Sequence, residues 1–189
     1  MANYYIGDPH FKHKNVIKHD FNNGCRYFES IEEHDKLIIE NWNRVVGPND
    51  NVYILGDLSW GNAKETEELL KKLNGKKILI KGNHDSYTKD PACRKQFEAI
   101  YDYKTIQDGN RMVVLFHYPI LFYQNQHRNS VLLYAHVHNT REEKLFQETC
   151  ERIASETDIP FNCYNVGCMT PWMDYCPRTL DEILAAHKK

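Results

Sequence analysis

Five short apolar runs in this chain are each followed at once by aspartate, asparagine or histidine side chains. The runs have the length and composition of buried strands, and the polar clusters begin near positions 8, 57, 83, 117 and 136. In open α/β sheets, ligands bind in crevices at the carboxyl ends of the strands. We therefore expect the five clusters to converge in space.

Helical patterns alternate with these runs. Candidate capping pairs are Ser30 with Glu33, Asn62 with Glu65, Thr140 with Glu143 and Thr179 with Glu182. The helix after Thr140 is predicted to carry Leu145, Phe146, Cys150 and Ile153. Runs over 103–106 and 112–116 flank Asp108-Gly109-Asn110 and predict a hairpin. Alternating strands and helices indicate an α/β fold.

The chain shows no internal repeat, linker or low-complexity tract, so we predict a single domain over residues 1–189. A formal charge of −2 provides no global basic field, and hence no strong signal for a nucleic-acid or anionic membrane partner. No apolar run is long enough to cross a bilayer, and no signal-peptide pattern opens the sequence. We expect a cytoplasmic protein without a membrane partner.

Six cysteines are scattered without Cys-x-x-Cys spacing, which favours reduced thiols. A zinc site built from Cys163, Cys168 and Cys176 is the less favoured alternative, because three irregularly spaced cysteines are a weak pattern.

The polar clusters contain a plausible set of metal ligands. In an extended chain, the spacing of Asp8 and His10 puts both side chains on one side, and His136 and His138 repeat this spacing. The seven candidate ligands are Asp8, His10, Asp57, Asn83, His117, His136 and His138. Mixed nitrogen and oxygen donors suit Mn²⁺, Fe, Zn²⁺ or Ni²⁺ better than a thiolate zinc site or an all-oxygen calcium site. Seven ligands fit two ions that share one carboxylate.

The ordered series Asp-x-His, Gly-Asp, Gly-Asn-His-Asp, a lone His and His-x-His resembles the signature of the calcineurin-like metallophosphoesterases. It extends from Asp8 to His138. Later segments, Asn165-Val166-Gly167 and the stretch through Pro177 and Leu180-Asp181-Glu182, are similar to compact bacterial and phage-type members. The resemblance implies two mixed β-sheets packed as a sandwich and flanked by helices, the metallo-dependent phosphatase fold.

The resemblance also implies a role for each matched position. It assigns Asp8, His10 and His138 to a first metal ion, Asn83, His117 and His136 to a second, and Asp57 to a bridge between them. His84 would donate a proton to the leaving oxygen, and Asp85 would orient His84. The implied cofactors are two divalent ions, with Mn²⁺ favoured over Fe, Zn²⁺ or Ni²⁺.

Three positions depart from the family pattern. Many relatives carry an acidic residue three positions after the bridging aspartate, where this chain has Trp60. The arginine that follows in protein Ser/Thr phosphatases is absent, which argues against a phosphoprotein substrate. Ala135 stands where the family has glycine before His-x-His; this change matters only if the backbone there needs a positive φ.

The expected reaction is hydrolysis of a small phosphate ester, with nucleotide-like esters among the candidate substrates, by in-line attack of a metal-bridging hydroxide. Phosphodiesters are favoured as substrates; a phosphomonoesterase and a non-catalytic scaffold of the same fold are the alternatives. Lys12 and His13 are candidates for a phosphate contact. Trp60 either stacks on a base or sugar or, the favoured interpretation, packs against the protein. Tyr118, Phe122, Tyr123 and Trp172 are candidates for the rim of the site.

Overall fold

Nine strands and six helices make up the computed structural model, which describes residues 1–25 and 27–188. The strands are β1 (Asn3–Ile6), β2 (Asn51–Leu55), β3 (Lys76–Ile80), β4 (Ala99–Tyr101), β5 (Tyr103–Asp108), β6 (Arg111–Phe116), β7 (Val131–Tyr134), β8 (Cys163–Asn165) and β9 (Arg178–Thr179). The helices are α1 (Lys14–Asn22), α2 (Ile31–Val45), α3 (Ala63–Lys72), α4 (Pro91–Arg94), α5 (Arg141–Glu156) and α6 (Leu180–Ala186). Short 3₁₀ turns cover Ser86–Lys89 and Gln126–Arg128.

The strands form two mixed sheets. The first has the order β4-β3-β2-β1-β9 and is parallel except for β9, and the second has the order β5-β6-β7-β8 and is parallel except for β5. The predicted hairpin is confirmed as β5–β6, which Gly109 and Asn110 connect. The predicted fold of two mixed sheets flanked by helices is confirmed.

Alternation along β6 and β7 places the second sheet between two apolar layers. Val113, Leu115, Val131 and Leu133 join the main core with residues of the first sheet such as Tyr5, Ile54 and Leu79. The intervening side chains Val114, Leu132 and Tyr134 form a second cluster, against which Phe146 of α5 packs. Successive side chains of a strand point to opposite faces of the sheet. Because β6 and β7 are buried on both faces, their sequences are continuous apolar runs rather than an alternation of apolar and polar residues.

Side chains cap the helices at the predicted positions. The capping boxes of α3 (Asn62 with Glu65) and α6 (Thr179 with Glu182) are confirmed. At α2, Ser30 Oγ accepts a hydrogen bond from Glu33 N, whereas the Glu33 carboxylate accepts one from Glu29 N rather than from the cap. These bonds satisfy amide groups that have no partner within the helix.

The start of α5 differs from the prediction. Thr140 is the cap, but its hydroxyl accepts from Glu142 N, and the predicted partner Glu143 is buried. Both carboxylate oxygens of Glu143 lie 2.9 Å from the buried hydroxyl of Tyr134, which donates to this carboxylate and accepts a hydrogen bond from Gln147 Nε2 at 2.7 Å. Leu145 is 62% exposed, so it does not belong to the buried stripe of this helix.

The six cysteines are buried and form no disulfide. Among residues 1–25 and 27–188, the groups that could hold a metal ion contain no cysteine, so the alternative zinc site is wrong for this part of the chain. In the same residues, no helix combines the length and apolar character of a membrane-spanning segment.

Candidate metal centre

The seven predicted ligands lie in loops that follow strands of both sheets. The loops after β1, β2 and β3 come from the first sheet, and those after β6 and β7 come from the second. Gly7 joins the sheets at this end: its N–H donates to Val166 O, and it pairs with Gly167 in a parallel bridge. The side chains therefore meet in a crevice between two sheets, at the carboxyl ends of the strands.

Asp8, His10 and His138 form the first group. One ligand atom from each lies within 4.8 Å of the others, and all three residues are buried. The Nε2 atoms of His10 and His138 are 3.1 Å apart, and His138 Nε2 is 3.9 Å from Asp8 Oδ2. Two ligand atoms bound to one ion at about 2.0–2.2 Å lie roughly 3–3.5 Å apart, so this spacing suits a shared cation.

Asp57, His117 and His136 form the second group, again with ligand atoms within 4.8 Å of one another. His117 Nε2 lies 3.7 Å from Asp57 Oδ2 and 3.2 Å from the amide oxygen of Asn83. The other ring nitrogen of His117, Nδ1, is 2.8 Å from the backbone oxygen of Leu55. Donation from Nδ1 to this carbonyl fixes the tautomer that leaves the Nε2 lone pair facing the centre.

Asp57 belongs to the second group and also lies close to the first. Its Oδ2 atom is 3.9 Å from His10 Nε2, 3.7 Å from His117 Nε2 and 4.0 Å from His84 Nε2. Burial raises the pKa of Asp57 to about 6; the nearby His117 lowers it and the Asp8 carboxylate raises it. A buried carboxylate beside another carboxylate is costly to ionise, and a bound cation offsets that cost.

Burial also affects His136. It lowers the pKa of this histidine, and the neighbouring His117 lowers it further. Both effects favour the neutral imidazole, which is the form that binds metal ions. The nitrogen and oxygen donors of the two groups thus fit a pair of divalent cations.

The backbone at the ligands differs from the expectation. An extended chain would align Asp8 with His10 and His136 with His138, but all four residues have positive φ, between 48° and 72°. Asp57 is also left-handed, with φ of 50°. The side chains therefore converge through consecutive tight turns, a conformation that is rare for residues other than glycine and that clusters at functional sites. Ala135 does not require a positive φ.

At two glycines, any side chain would clash with a ligand residue. A Cβ atom on Gly56, which has φ of +79°, would lie 2.2 Å from His117 Nδ1. A Cβ atom on Gly82 would lie 2.3 Å from Asp57 Oδ1. The glycines of the Gly-Asp and Gly-Asn-His-Asp segments are therefore needed because the backbone passes directly against ligand side chains.

Asp85 has partners other than the one that the resemblance implied. Its buried carboxylate accepts hydrogen bonds from the backbone N–H groups of Asp57, Leu58 and Gly82 and from the Tyr87 hydroxyl. Within the described residues, none of its hydrogen bonds comes from the His84 imidazole. The carboxylate instead ties the loop after β2 to the loop after β3, and so holds Asp57 in place.

The surroundings of the first group contain a residue that sequence reasoning missed. Asp20 of α1 is fully buried, and its Oδ1 atom lies 2.9 Å from His138 Nδ1 and 3.0 Å from His19 Nδ1. Because the Asp20 carboxylate is the partner of Nδ1, the Nε2 atom of His138 is left to face Asp8 and His10. The only signal in the sequence was the His19-Asp20 dipeptide, which carries no spacing information.

The candidate substrate contacts have mixed outcomes. Lys12 Nζ forms an exposed ion pair with Glu65 at 2.8 Å, which directs it toward α3. Trp60 is 42% exposed, so it does not pack into the core; its ring lies against His13 and His84. The Tyr118 ring is 4.5 Å from that of His136, which places it at the site.

Two other candidates for the rim serve structural contacts. The Tyr123 hydroxyl accepts a hydrogen bond from Asn162 N, and Trp172 Nε1 donates to Asn165 O. Phe122 is 65% exposed.

Comparison with known proteins agrees with this arrangement. A family model described as calcineurin-like phosphoesterase matches residues 4–166. An uncharacterized protein of Methanocaldococcus jannaschii is 48% identical over 87 residues, which cover 44% of this chain and 47% of that protein. The Gene 66 protein of Mycobacterium phage L5 is 37% identical over 89 residues, 45% of this chain and 41% of that protein. The chain thus matches less than half the length of these two relatives.

One solved structure is similar over nearly the whole chain. It is a protein of unknown function from Aquifex aeolicus, with 29% sequence identity and a TM-score of 0.71. The similarity covers 97% of this chain and 98% of that one.

Proposed function

Because the chain belongs to the calcineurin-like phosphoesterase family, we propose that it hydrolyses phosphodiesters at a centre of two divalent metal ions. One observation carries this proposal: Asp57 Oδ2 lies within 4.0 Å of a histidine from each group of ligands and of His84. A carboxylate in that position can serve two cations at once. His84, the third histidine near this oxygen, lies outside either ligand group.

The residues divide into two sets of metal ligands. Asp8, His10 and His138 would hold one ion, Asn83, His117 and His136 the other, and Asp57 both. When bound, the two ions neutralise phosphate charge and make a water molecule nucleophilic at neutral pH. The mixed nitrogen and oxygen donors suit Mn²⁺, which we propose as the working ion ahead of Fe, Zn²⁺ and Ni²⁺.

The protein's own part in the reaction centres on His84. Its side chain is 42% exposed, so it can reach a substrate in the crevice, and its backbone N–H donates to Asp57 Oδ1 at 2.9 Å. As water adds to phosphorus and releases a proton to the solvent, the bond from phosphorus to the leaving oxygen breaks. His84 donates its ring proton to that oxygen and recovers a proton from the solvent. Asp85 holds the loops that carry His84 and Asp57 rather than touching the substrate.

The test uses protein from which a chelator has removed any bound metal. A panel of phosphate esters is assayed with this metal-free protein after addition of Mn²⁺, Fe²⁺, Zn²⁺, Ni²⁺ or Mg²⁺. We expect faster turnover of bis-p-nitrophenyl phosphate than of p-nitrophenyl phosphate with Mn²⁺. Greater turnover of the monoester would reverse the preference. A protein that binds two ions but hydrolyses neither ester would favour a non-catalytic scaffold. Asp57→Asn serves as the matched variant without the shared carboxylate.

A further inference from the structure

The indole ring of Trp60 contacts two histidine rings. It stacks on His13, with ring centroids 3.8 Å apart and planes inclined by 4°. It also contacts His84, with centroids 4.0 Å apart and an angle of 43°. These two contacts tie the indole to side chains beside the candidate metal centre.

Backbone hydrogen bonds hold the loop that carries Trp60. Trp60 N donates to Phe11 O at 2.8 Å, Phe11 N donates to Leu58 O at 2.9 Å, and Phe11 pairs with Ser59 in a parallel bridge. His13 is the residue that precedes the first turn of α1. The loops after β1 and β2 are therefore locked together, and the indole is carried on a rigid support.

His84 has few other restraints on its side chain. Among residues 1–25 and 27–188, its imidazole makes no hydrogen bond, and its distance to Asp57 Oδ2 is 4.0 Å. Asp85 has its carboxylate committed to other donors. A half-exposed side chain without a hydrogen bond samples several rotamers unless packing restricts it.

We propose that Trp60 is a positioning residue for His84, and that ring packing does in this chain what a hydrogen bond to a carboxylate could do. The inference rests on the proposed function, in which His84 is the proton donor. The indole limits the imidazole to orientations that point its Nε2 toward the crevice that holds Asp57. Misplacement of a reacting group by about 1 Å can cost about 10²-fold in rate, so this restraint is large enough to matter.

The first experiment measures turnover of a series of aryl phosphodiesters whose leaving phenols differ in acidity. Poor leaving groups depend most on proton donation, so Trp60→Ala should lower kcat about 10–100-fold for them, with KM little changed, and have a smaller effect on p-nitrophenyl esters. Trp60→Phe should restore most of the rate, because a phenyl ring can still pack on His84. Leu145→Ala removes an exposed apolar side chain on α5 and should leave the series unchanged.

A double-mutant cycle isolates the coupling between the two residues. If Trp60 acts through His84, adding Trp60→Ala to His84→Ala should cause almost no further loss of kcat. A crystal structure of Trp60→Ala should show the His84 imidazole in more than one rotamer, whether or not the protein hydrolyses esters. Thermal unfolding of each variant checks that the fold is retained.

Three results would overturn the inference: an unmoved His84 in that structure, an equal loss for every leaving group, or a rise in KM alone. The last would make the indole a substrate contact. Failure of the proposed function has a different signature, since the wild-type protein would then hydrolyse no ester. In that case the rotamers of His84 in Trp60→Ala still decide whether the indole positions this side chain.

Discussion

The Nδ1 atom of His138 lies 2.9 Å from Oδ1 of Asp20, a carboxylate with no solvent exposure. The contact joins helix α1 to a histidine 118 residues later in the chain. Carboxylates in this position behind a metal-binding histidine fix its tautomer and raise its basicity. Asp20 thus supports the first group of ligands without belonging to it.

Asp20→Asn should therefore weaken binding of one of the two ions. We expect a loss of about 10–100-fold in affinity at the first site and little change at the second, because His138, a ligand of the first group, loses the carboxylate behind its Nδ1 atom. Calorimetric titration of the metal-free protein with Mn²⁺ would measure the affinity of each of the two sites. Asp102→Asn, which removes an exposed partner of Lys81, is the matched control. Equal weakening of both sites would show that Asp20 acts on the fold as a whole.

His84→Ala should separate catalysis from metal binding. Because His84 is placed outside both ligand groups, the variant should still bind two ions while kcat falls about 10²–10⁴-fold. Metal content after gel filtration and steady-state kinetics on the same sample measure the two effects. Loss of an ion together with activity would make His84 a ligand and contradict the assigned role.

The sequence predicted much of the fold and of the site for a local physical reason. Apolar runs that end in Asp, Asn or His mark strand ends, and capping pairs such as Asn62 with Glu65 are confirmed because both partners are close in the chain. The ordered motif that resembles the family signature contains all seven candidate ligands. These features depend on neighbouring residues, which is the information that a sequence displays directly.

Local sequence patterns do not reveal contacts between residues that are far apart in the chain. Asp20 contacts His138 because α1 lies beside the loop after β7 in the folded chain. Glu143 does not take its predicted place in the cap of α5, because its carboxylate accepts a hydrogen bond from the buried Tyr134 hydroxyl. The left-handed turns at the ligands were also missed, since an alternating pattern is equally consistent with an extended strand. In each case tertiary packing decided what the local pattern left open.

The raised pKa of Asp57 predicts a pH dependence of the metal-free protein. An ordinary aspartate has a pKa of 3.8, whereas burial raises that of Asp57 to about 6. The folded state therefore binds more protons than the unfolded state between these values, so stability is greatest below about pH 4 for this group and falls as pH rises to about 6. The contribution is at most about 3 kcal/mol.

Urea unfolding of chelated wild-type protein and of Asp57→Asn would measure this effect. The free energy of unfolding of the variant relative to wild type should increase between about pH 4 and 6 and stay level above that range. Saturating Mn²⁺ should stabilise the wild type at pH 7 and the variant much less. If the difference in free energy of unfolding between the variant and the wild type did not change with pH, the Asp57 pKa would not be raised in the folded protein.

Gly56→Ala tests how closely the ligand loops must approach. Its new Cβ would lie 2.2 Å from His117 Nδ1 and 2.8 Å from Gly82 Cα, so the loop after β2 must move and displace Asp57. Gly109 is a matched control, because it also has a positive φ, +59°, but its Cβ would meet no atom within 4 Å. Gly109→Ala should cost only the conformational strain, about 1 kcal/mol of stability, and leave metal binding intact. Gly56→Ala should lose at least one ion, as measured by metal content, in addition to stability. If both variants bound two ions equally well, the close contact between the backbone and His117 would not be required for the metal centre.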